Sequence, residues 1–306
     1  MMFVVWRIGS IATGLAGLLA CDEPGTMPGT DAGIVPRCSP TGVFGRPTAL
    51  MALNTPNSDE QATLSADQMT VYFSRDNGSG DFDIYQATRN STTGTFGTAT
   101  AVPGVNTTTA EEREPRVTAD GLTMYATTRT IPGATSKFRV AFATRASTSA
   151  PFGALQNVPM INGASTGNDS DPFITADGRV LYFASDRGGN LGLYRSVQTG
   201  GVFSAPELVM GTNLDSVSAE GTPVLSEDEL TLYLASTRRG GLANPDIFHA
   251  TRATLQDPFS EPKIVNELAS TDPDIPSWLS PDGCELYFTR YSPANNLELA
   301  IALRGK

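Results

Sequence analysis

The sequence predicts an all-β chain: a five-bladed β-propeller of four-stranded antiparallel blades, its ring closed by the N-terminal strand. Three observations predict it. One text recurs five times, as "TLSADQMTVYFSR", "RVTADGLTMYATTR", "FITADGRVLYFASDR", "VLSEDELTLYLASTR" and "WLSPDGCELYFTR". Aligned on Asp67, Asp120, Asp177, Asp228 and Asp282, the copies lie 53, 57, 51 and 54 residues apart, a period typical of repeat architectures. Charged residues make up only 17% of the 306, Gly and Pro number 30 and 21, and no stretch beyond the N-terminus spaces its apolar residues helically. Finally, each copy with its flanks holds four short strand patterns, the content of one propeller blade.

From the N-terminus, "MMFVVWRIGSIATGLAGLLAC" carries one charge, Arg7, then an apolar run from Ile8 to Ala20. That run is short for a membrane span and suits a signal-peptide core. Its end, Leu18-Leu19-Ala20-Cys21, resembles a bacterial lipobox, which implies a signal peptide over 1–20, lipidation of Cys21 and a membrane anchor through that lipid. The polar, Pro/Gly-rich segment 21–42 then reads as a flexible tether.

The propeller is expected over 43–306. In each copy strand a precedes the turn aspartate. Strand b follows it with a tyrosine (Tyr72, Tyr125, Tyr182, Tyr233, Tyr287), strand c reads "DIYQATR" or "DIFHATR", and strand d reads "FGTATAVPGVN" or "FGALQNVPMIN". The aspartates serve tight a–b turns. The tyrosine rings fill space between blades, with hydroxyls that can reach a backbone group. The last copy stops after strand c, whereas "VFGRPTALMALN" supplies a d-type segment ahead of the first copy. Pairing the two closes the ring and removes two open sheet edges.

The unit "DPFITADGRVLYFASDRGGNLGLYRS" resembles the WD40-like β-propeller repeat of TolB-type bacterial envelope proteins. All five copies carry the resemblance, from about residue 43 to 306. It implies an interaction platform in the cell envelope, periplasmic or on the outer-membrane side. The expected partner is an envelope protein or peptide, or a glycan, and the expected state a monomer.

Eight residues before each turn aspartate stands another acid: Asp59, Glu112, Asp169, Glu220 and Asp274. An arginine follows each tyrosine: Arg75, Arg129, Arg187, Arg238 and Arg290. Two readings stay open. Each acid pairs with its own blade's arginine, or the acids converge at the channel mouth and hold a cation such as Ca²⁺, which favours oxygen ligands. The loops of that face are long and polar, the usual place for binding. "DNGSGDFD" (Asp76 to Asp83) only loosely resembles a calcium loop. With Cys21 lipidated, Cys38 and Cys284 are left as an even pair. Both lie on the same face of the closing blade, where a disulfide would staple the seam.

The net charge of -11, with no basic cluster, argues against nucleic acid. The single histidine, His249, sits in a strand c pattern, and no zinc spacing, phosphate loop or dinucleotide fingerprint occurs. No catalytic residue is therefore assigned, and the expected function is a non-enzymatic binding scaffold. The alternative is glycoside hydrolysis or lysis by carboxylates at the channel mouth, since five-bladed propellers include glycosidases. A catalytic set should break the repeat, as Glu114 and Asp171 do by preceding prolines in two blades. Trp278, in strand a of the fifth copy, is the tryptophan of the propeller region.

Overall fold

The computed structural model describes residues 37–39, 41–130, 136–163, 165–211, 218–238, 240–242, 245–292 and 296–305. The expected signal peptide, most of the tether, and Cys21 lie outside the described residues. Five antiparallel sheets follow one another along the chain. Strand a occupies Asp59–Leu64, Ala110–Val117, Asp169–Ile174, Glu220–Leu225 and Asp274–Leu279 in blades 1 to 5. Strand b occupies Thr70–Asp76, Thr123–Thr130, Val180–Ser185, Thr231–Ser236 and Glu285–Tyr291, and strand c Phe82–Thr88, Arg139–Thr144, Gly192–Thr199, Asp246–Thr251 and Leu297–Leu303. Strand d is two residues long, as in Thr100–Ala101, Gln156–Asn157 and Lys263–Ile264. Blade 3 differs: its strand c pairs with both Val202–Phe203 and Glu207–Leu208. A single turn of helix, Pro159–Asn162, interrupts the all-β pattern.

The ring closes as the repeat phase predicts. Thr48–Ala49 pairs with strand c of blade 5, with Thr48 opposite Ile301, and Phe44 bridges to Arg304. Cys38 and Cys284 form a disulfide between the segment ahead of that strand and the start of strand b of the same blade.

Alternation along strand b builds the core. Val71 and Phe73 face blade 5 while Tyr72 faces blade 2; Leu181 and Phe183 face blade 2 while Tyr182 faces blade 4. The result is an apolar cluster at each blade-to-blade contact. Tyr182 and Tyr233 turn their hydroxyls not to backbone groups, as the sequence suggested, but to arginines from strand c of the following blade: Arg252 donates to Tyr182 Oη at 3.4 Å, and Arg304 donates to Tyr233 Oη. Blade 3 has no arginine at that position, and burial alone raises Tyr125, which would face it, to about 12. Each such arginine also lies over a phenyl face of strand d, Arg89 on Phe96, Arg145 on Phe152, Arg252 on Phe259 and Arg304 on Phe44.

Two repeated devices hold the short elements. At the a–b turn a Ser or Thr hydroxyl donates to the turn aspartate, Ser65 to Asp67 at 2.6 Å and Thr175 to Asp177 at 2.7 Å. The same aspartate oxygen accepts the N–H two residues on, from Met69 and Arg179, both at 3.0 Å. These bonds hold Asp67 and Asp177 below the usual carboxylate range, the hydroxyl contributing most. At strand d, an asparagine carboxamide extends the pairing: Asn106 accepts from Ile84 N–H at 2.8 Å and donates to Ile84 O at 2.9 Å, and Asn54 does the same to Leu299.

The Cys38–Cys284 bridge spans 246 residues of sequence at the closing seam. Replacing both cysteines by serine is expected to destabilise the propeller by about 2–5 kcal/mol. Thermal unfolding with and without reductant checks this: reductant should lower the melting temperature of the wild type and leave that of the double variant unchanged.

Candidate functional site: the axial channel

Strand a of every blade lines the axis, and each carries a bulge two residues after its first acid. Gln61, Glu114, Asp171 and Thr222 have φ between 51° and 58°, and the pairing register shifts there in all five blades. The bulge turns an N–H toward the preceding blade. Gln61 donates to Thr289 Oγ1 at 2.9 Å, Glu114 to Ser74 Oγ at 2.8 Å and Asp171 to Thr127 Oγ1 at 3.2 Å. In blade 4 the position corresponding to these hydroxyls is Ala235. The residue that would use it is Pro276, which has no N–H to satisfy.

The five repeated acids lie at the d–a face, buried and engaged. Asp59 pairs with Arg75 and Asp274 with Arg290, each at 2.6 Å, and both arginines also donate to a d–a loop carbonyl, Leu53 O and Leu268 O. In blades 3 and 4 a serine stands opposite the acid, and the arginine reaches over it: Arg187 to Asp169 at 2.6 Å, and Arg238 to Glu220. Burial raises Asp59 and Asp274 above the usual carboxylate range in spite of the arginine beside each.

Blade 2 corrects the expected pattern. Arg129 pairs with Glu111 at 2.5 Å, not with Glu112. The reason is parity. The arginines stand three or five residues after the tyrosine in the other blades but four in blade 2, so Arg129 points to the opposite sheet face. Glu112 instead accepts from the N–H and hydroxyl of Thr107 at 3.0 and 2.9 Å. Burial, with the charges of Asp83 and Asp81, raises it to about 7.

The inverted Arg129 feeds a network inside the channel. Arg113 donates to Glu111 and to Glu60, both at 2.8 Å, and stacks 4.1 Å over Phe82. Below it the bulges bring Glu114 and Asp171 together. Glu114 Oε2 accepts from the Asp171 N–H at 2.7 Å and from the Thr127 hydroxyl at 2.5 Å, while Asp171 accepts from Ser170 and Thr222. Burial, then the charge of Glu114, pushes Asp171 up to about 8. The space against this pair is about 10 Å³, room for about one water.

Past the bulge the channel opens toward the a–b turns as a funnel of about 240 Å³ to which all five blades contribute, among them Thr63, Arg116, Phe173, Leu225 and Trp278. Arg116 lines both the funnel and the small space by Asp171, and so separates them. Its guanidinium donates to Thr63 Oγ1 at 3.2 Å and lies 5.1 Å from the Phe173 ring centre. Burial lowers it to about 9. Sequence reasoning passed over Arg116, because its position reads Thr63, Arg116, Phe173, Val224 and Trp278 around the ring and leaves no repeat to notice.

The remaining candidates are structural in their contacts. In "DNGSGDFD", Asp76 accepts the N–H groups of Gly78 and Gly80 at 2.8 and 2.9 Å. His249 is half-buried with its ring 6.2 Å from that of Tyr233, and burial lowers its pKa. Among the described residues no three His, Cys, Asp or Glu side chains converge as a metal set.

No protein-family model matches the chain, and no curated protein matches it. Solved structures do. The catalytic domain of a Coprinopsis cinerea family-62 α-L-arabinofuranosidase aligns over 87% of this chain and 98% of its own, at 12% identity and a TM-score of 0.58. A thermostable family-43 glycoside hydrolase aligns over 83% and 92%, at 14% and 0.54. TolB from Acinetobacter baumannii aligns over 83% of this chain at 16% and 0.49, and this chain spans 57% of that protein. At these identities the likeness to the two hydrolases shows the fold alone.

Asp171 and Glu112 take up protons in the folded state that their unfolded counterparts, near 3.8 and 4.5, have lost. Groups raised in this way stabilise the fold fully below those unfolded values and cease to do so as pH passes their folded values. Stability is therefore expected to fall from pH 5 to pH 8. Asp171→Asn should flatten that slope, measured as the change in denaturation midpoint between the two pH values. His249 has the opposite sign, below about 6.5, and cancels in the comparison of variant with wild type.

Proposed function

We propose that this chain is a non-enzymatic binding propeller, lipid-anchored through Cys21 in a bacterial envelope, with its axial channel as the recognition element for a protein or small ligand. One observation carries the reading: four of the five repeated acids, and the pair that breaks the repeat, are already committed. Asp59, Asp169, Glu220 and Asp274 each hold an arginine. Glu114 and Asp171, the pair that breaks the repeat, adjoin about 10 Å³. Glycoside cleavage needs two carboxyl groups flanking a sugar, with room for that sugar and an attacking water. The likeness to family-43 and family-62 hydrolases is one of fold, and the space against Glu114 and Asp171 is too small for a pyranose or furanose ring.

Two measurements test the reading. Incubated with arabinan and arabinoxylan oligosaccharides, the chain is expected to release no sugar above buffer; release that Glu114→Gln abolishes would overturn the binding reading. In cells, the wild type is expected to sediment with membranes, whereas Cys21→Ser stays in the soluble fraction. Equal sedimentation of the two would remove the lipid anchor.

A further inference from the structure

We propose that the funnel on the a–b face binds a monocarboxylate with an apolar body, its carboxylate on Arg116 and its body between Phe173 and Trp278. The inference deepens the binding reading above and rests on it. Its basis is a charge imbalance. Arg75, Arg113, Arg129, Arg187, Arg238 and Arg290, on the strands nearest the axis, each contact a carboxylate. Arg116 is the exception. It is 92% buried, and among the described residues no carboxylate oxygen comes within 4.0 Å of it. The strand c arginines that lack a carboxylate, such as Arg89 and Arg145, donate to turn carbonyls and sit at blade-to-blade grooves away from the axis. Arg116 has a hydroxyl and an opening instead.

A buried cation without a counter-charge is unfavourable unless something supplies one. Asp171 is the acid whose charge acts on Arg116, but among the described residues its carboxylate lies beyond 4.0 Å, and burial with the charge of Glu114 disfavours its ionised form. The counter-charge can then come from the funnel. A carboxylate matches the planar fork of a guanidinium. The walls add apolar area: Phe173 lies under the Arg116 guanidinium, and Trp278, edge-on to Tyr287 at 5.4 Å, lines the same funnel with Leu225. The rim carries Glu227, exposed, and Glu229, which faces Arg252 at 3.6 Å. Those acids disfavour a second negative charge at the outer end of the ligand and so select monocarboxylates over dicarboxylates.

The chemistry fits a free aryl- or alkyl-carboxylic acid and equally a peptide ending in an apolar residue. Calorimetric titration of the full chain with 3-phenylpropionate, and with an acetylated peptide ending in free phenylalanine, tests both. Saturable one-site binding is expected for at least one probe, with at least about tenfold weaker binding of the matching amide. Arg116→Met should lose at least about tenfold in affinity without a fall in melting temperature, because it replaces an unpaired buried charge by an apolar chain of similar length. Trp278→Leu should weaken binding with the charge left in place, and phenylsuccinate should bind less tightly than phenylpropionate until Glu227→Gln removes the difference. Tighter binding of the peptide assigns the site to a chain terminus; tighter binding of phenylpropionate assigns it to free acids. Absence of saturable binding to both probes, or binding unchanged in Arg116→Met, overturns the proposal. Neither result touches the broader binding reading, which falls only to glycan hydrolysis.

Discussion

Strand a must do two incompatible things: pair fully with strand b and pass close to four other copies of itself at the axis. The bulge two residues after each first acid resolves this conflict. A left-handed residue there costs about 1–2 kcal/mol when it is not glycine, and Gln61, Glu114, Asp171 and Thr222 all adopt it. In blades 1 to 3 the freed N–H is satisfied across the blade boundary, by Thr289, Ser74 and Thr127. Those three bulges are thus also joints between blades. They re-aim the flanking side chains, so that Glu60, Arg113, Glu114 and Asp171 meet in the channel. The position two residues further on returns to regular pairing and faces the funnel, with Thr63, Arg116 and Phe173 opposite Tyr72, Tyr125 and Tyr182.

Charge at the axis is arranged in layers. Nearest the d–a face, four of the five repeated acids hold an arginine and the acids tie the loops down: Asp59 accepts from Thr55 and Asp274 from Ser270, while Glu112, with Thr107 in place of an arginine, does the same in blade 2. The next layer is a bridged network in which Arg113 joins Glu60 to Glu111, and Arg129 completes it. Such buried pairs contribute little net stability over an apolar core, but breaking one leaves an uncompensated charge. Deeper still, burial and the charge of Glu114 push Asp171 up, and Arg116 donates to a hydroxyl with no carboxylate within 4.0 Å among the described residues. The gradient runs from fully compensated to uncompensated charge along one axis.

What the sequence made legible was whatever recurs. The turn aspartate, the tyrosine and the displaced strand d fixed five blades and the closure, because each copy places them at one spacing. Other repeats were equally visible in hindsight: the Ser or Thr two residues ahead of every turn aspartate, and the Asn of "PGVN" and "MALN" that extends strand d. The arginine pattern misled in blade 2. Counting residues without their parity assigned Arg129 to Glu112, whereas a single-residue offset on a strand reverses the face. Glu114 and Asp171 stood out as breaks in symmetry, but their meeting depended on a bulge that no local signal marked.

The contrast between repeated and singular positions bears on function. A residue kept in every blade is explained by what every blade needs: a turn, a joint, a loop clamp. A residue that differs in every blade at the same register position serves no such need. Thr63, Arg116, Phe173, Val224 and Trp278 occupy one level around the axis with five different side chains. One is cationic, two are aromatic, and three of them line the same funnel with Thr63. A pseudo-symmetric ring filled by such a set cannot present five equal subsites. It presents one asymmetric site, with a charged side and an aromatic side, and that asymmetry is what recognition of a single amphipathic group requires.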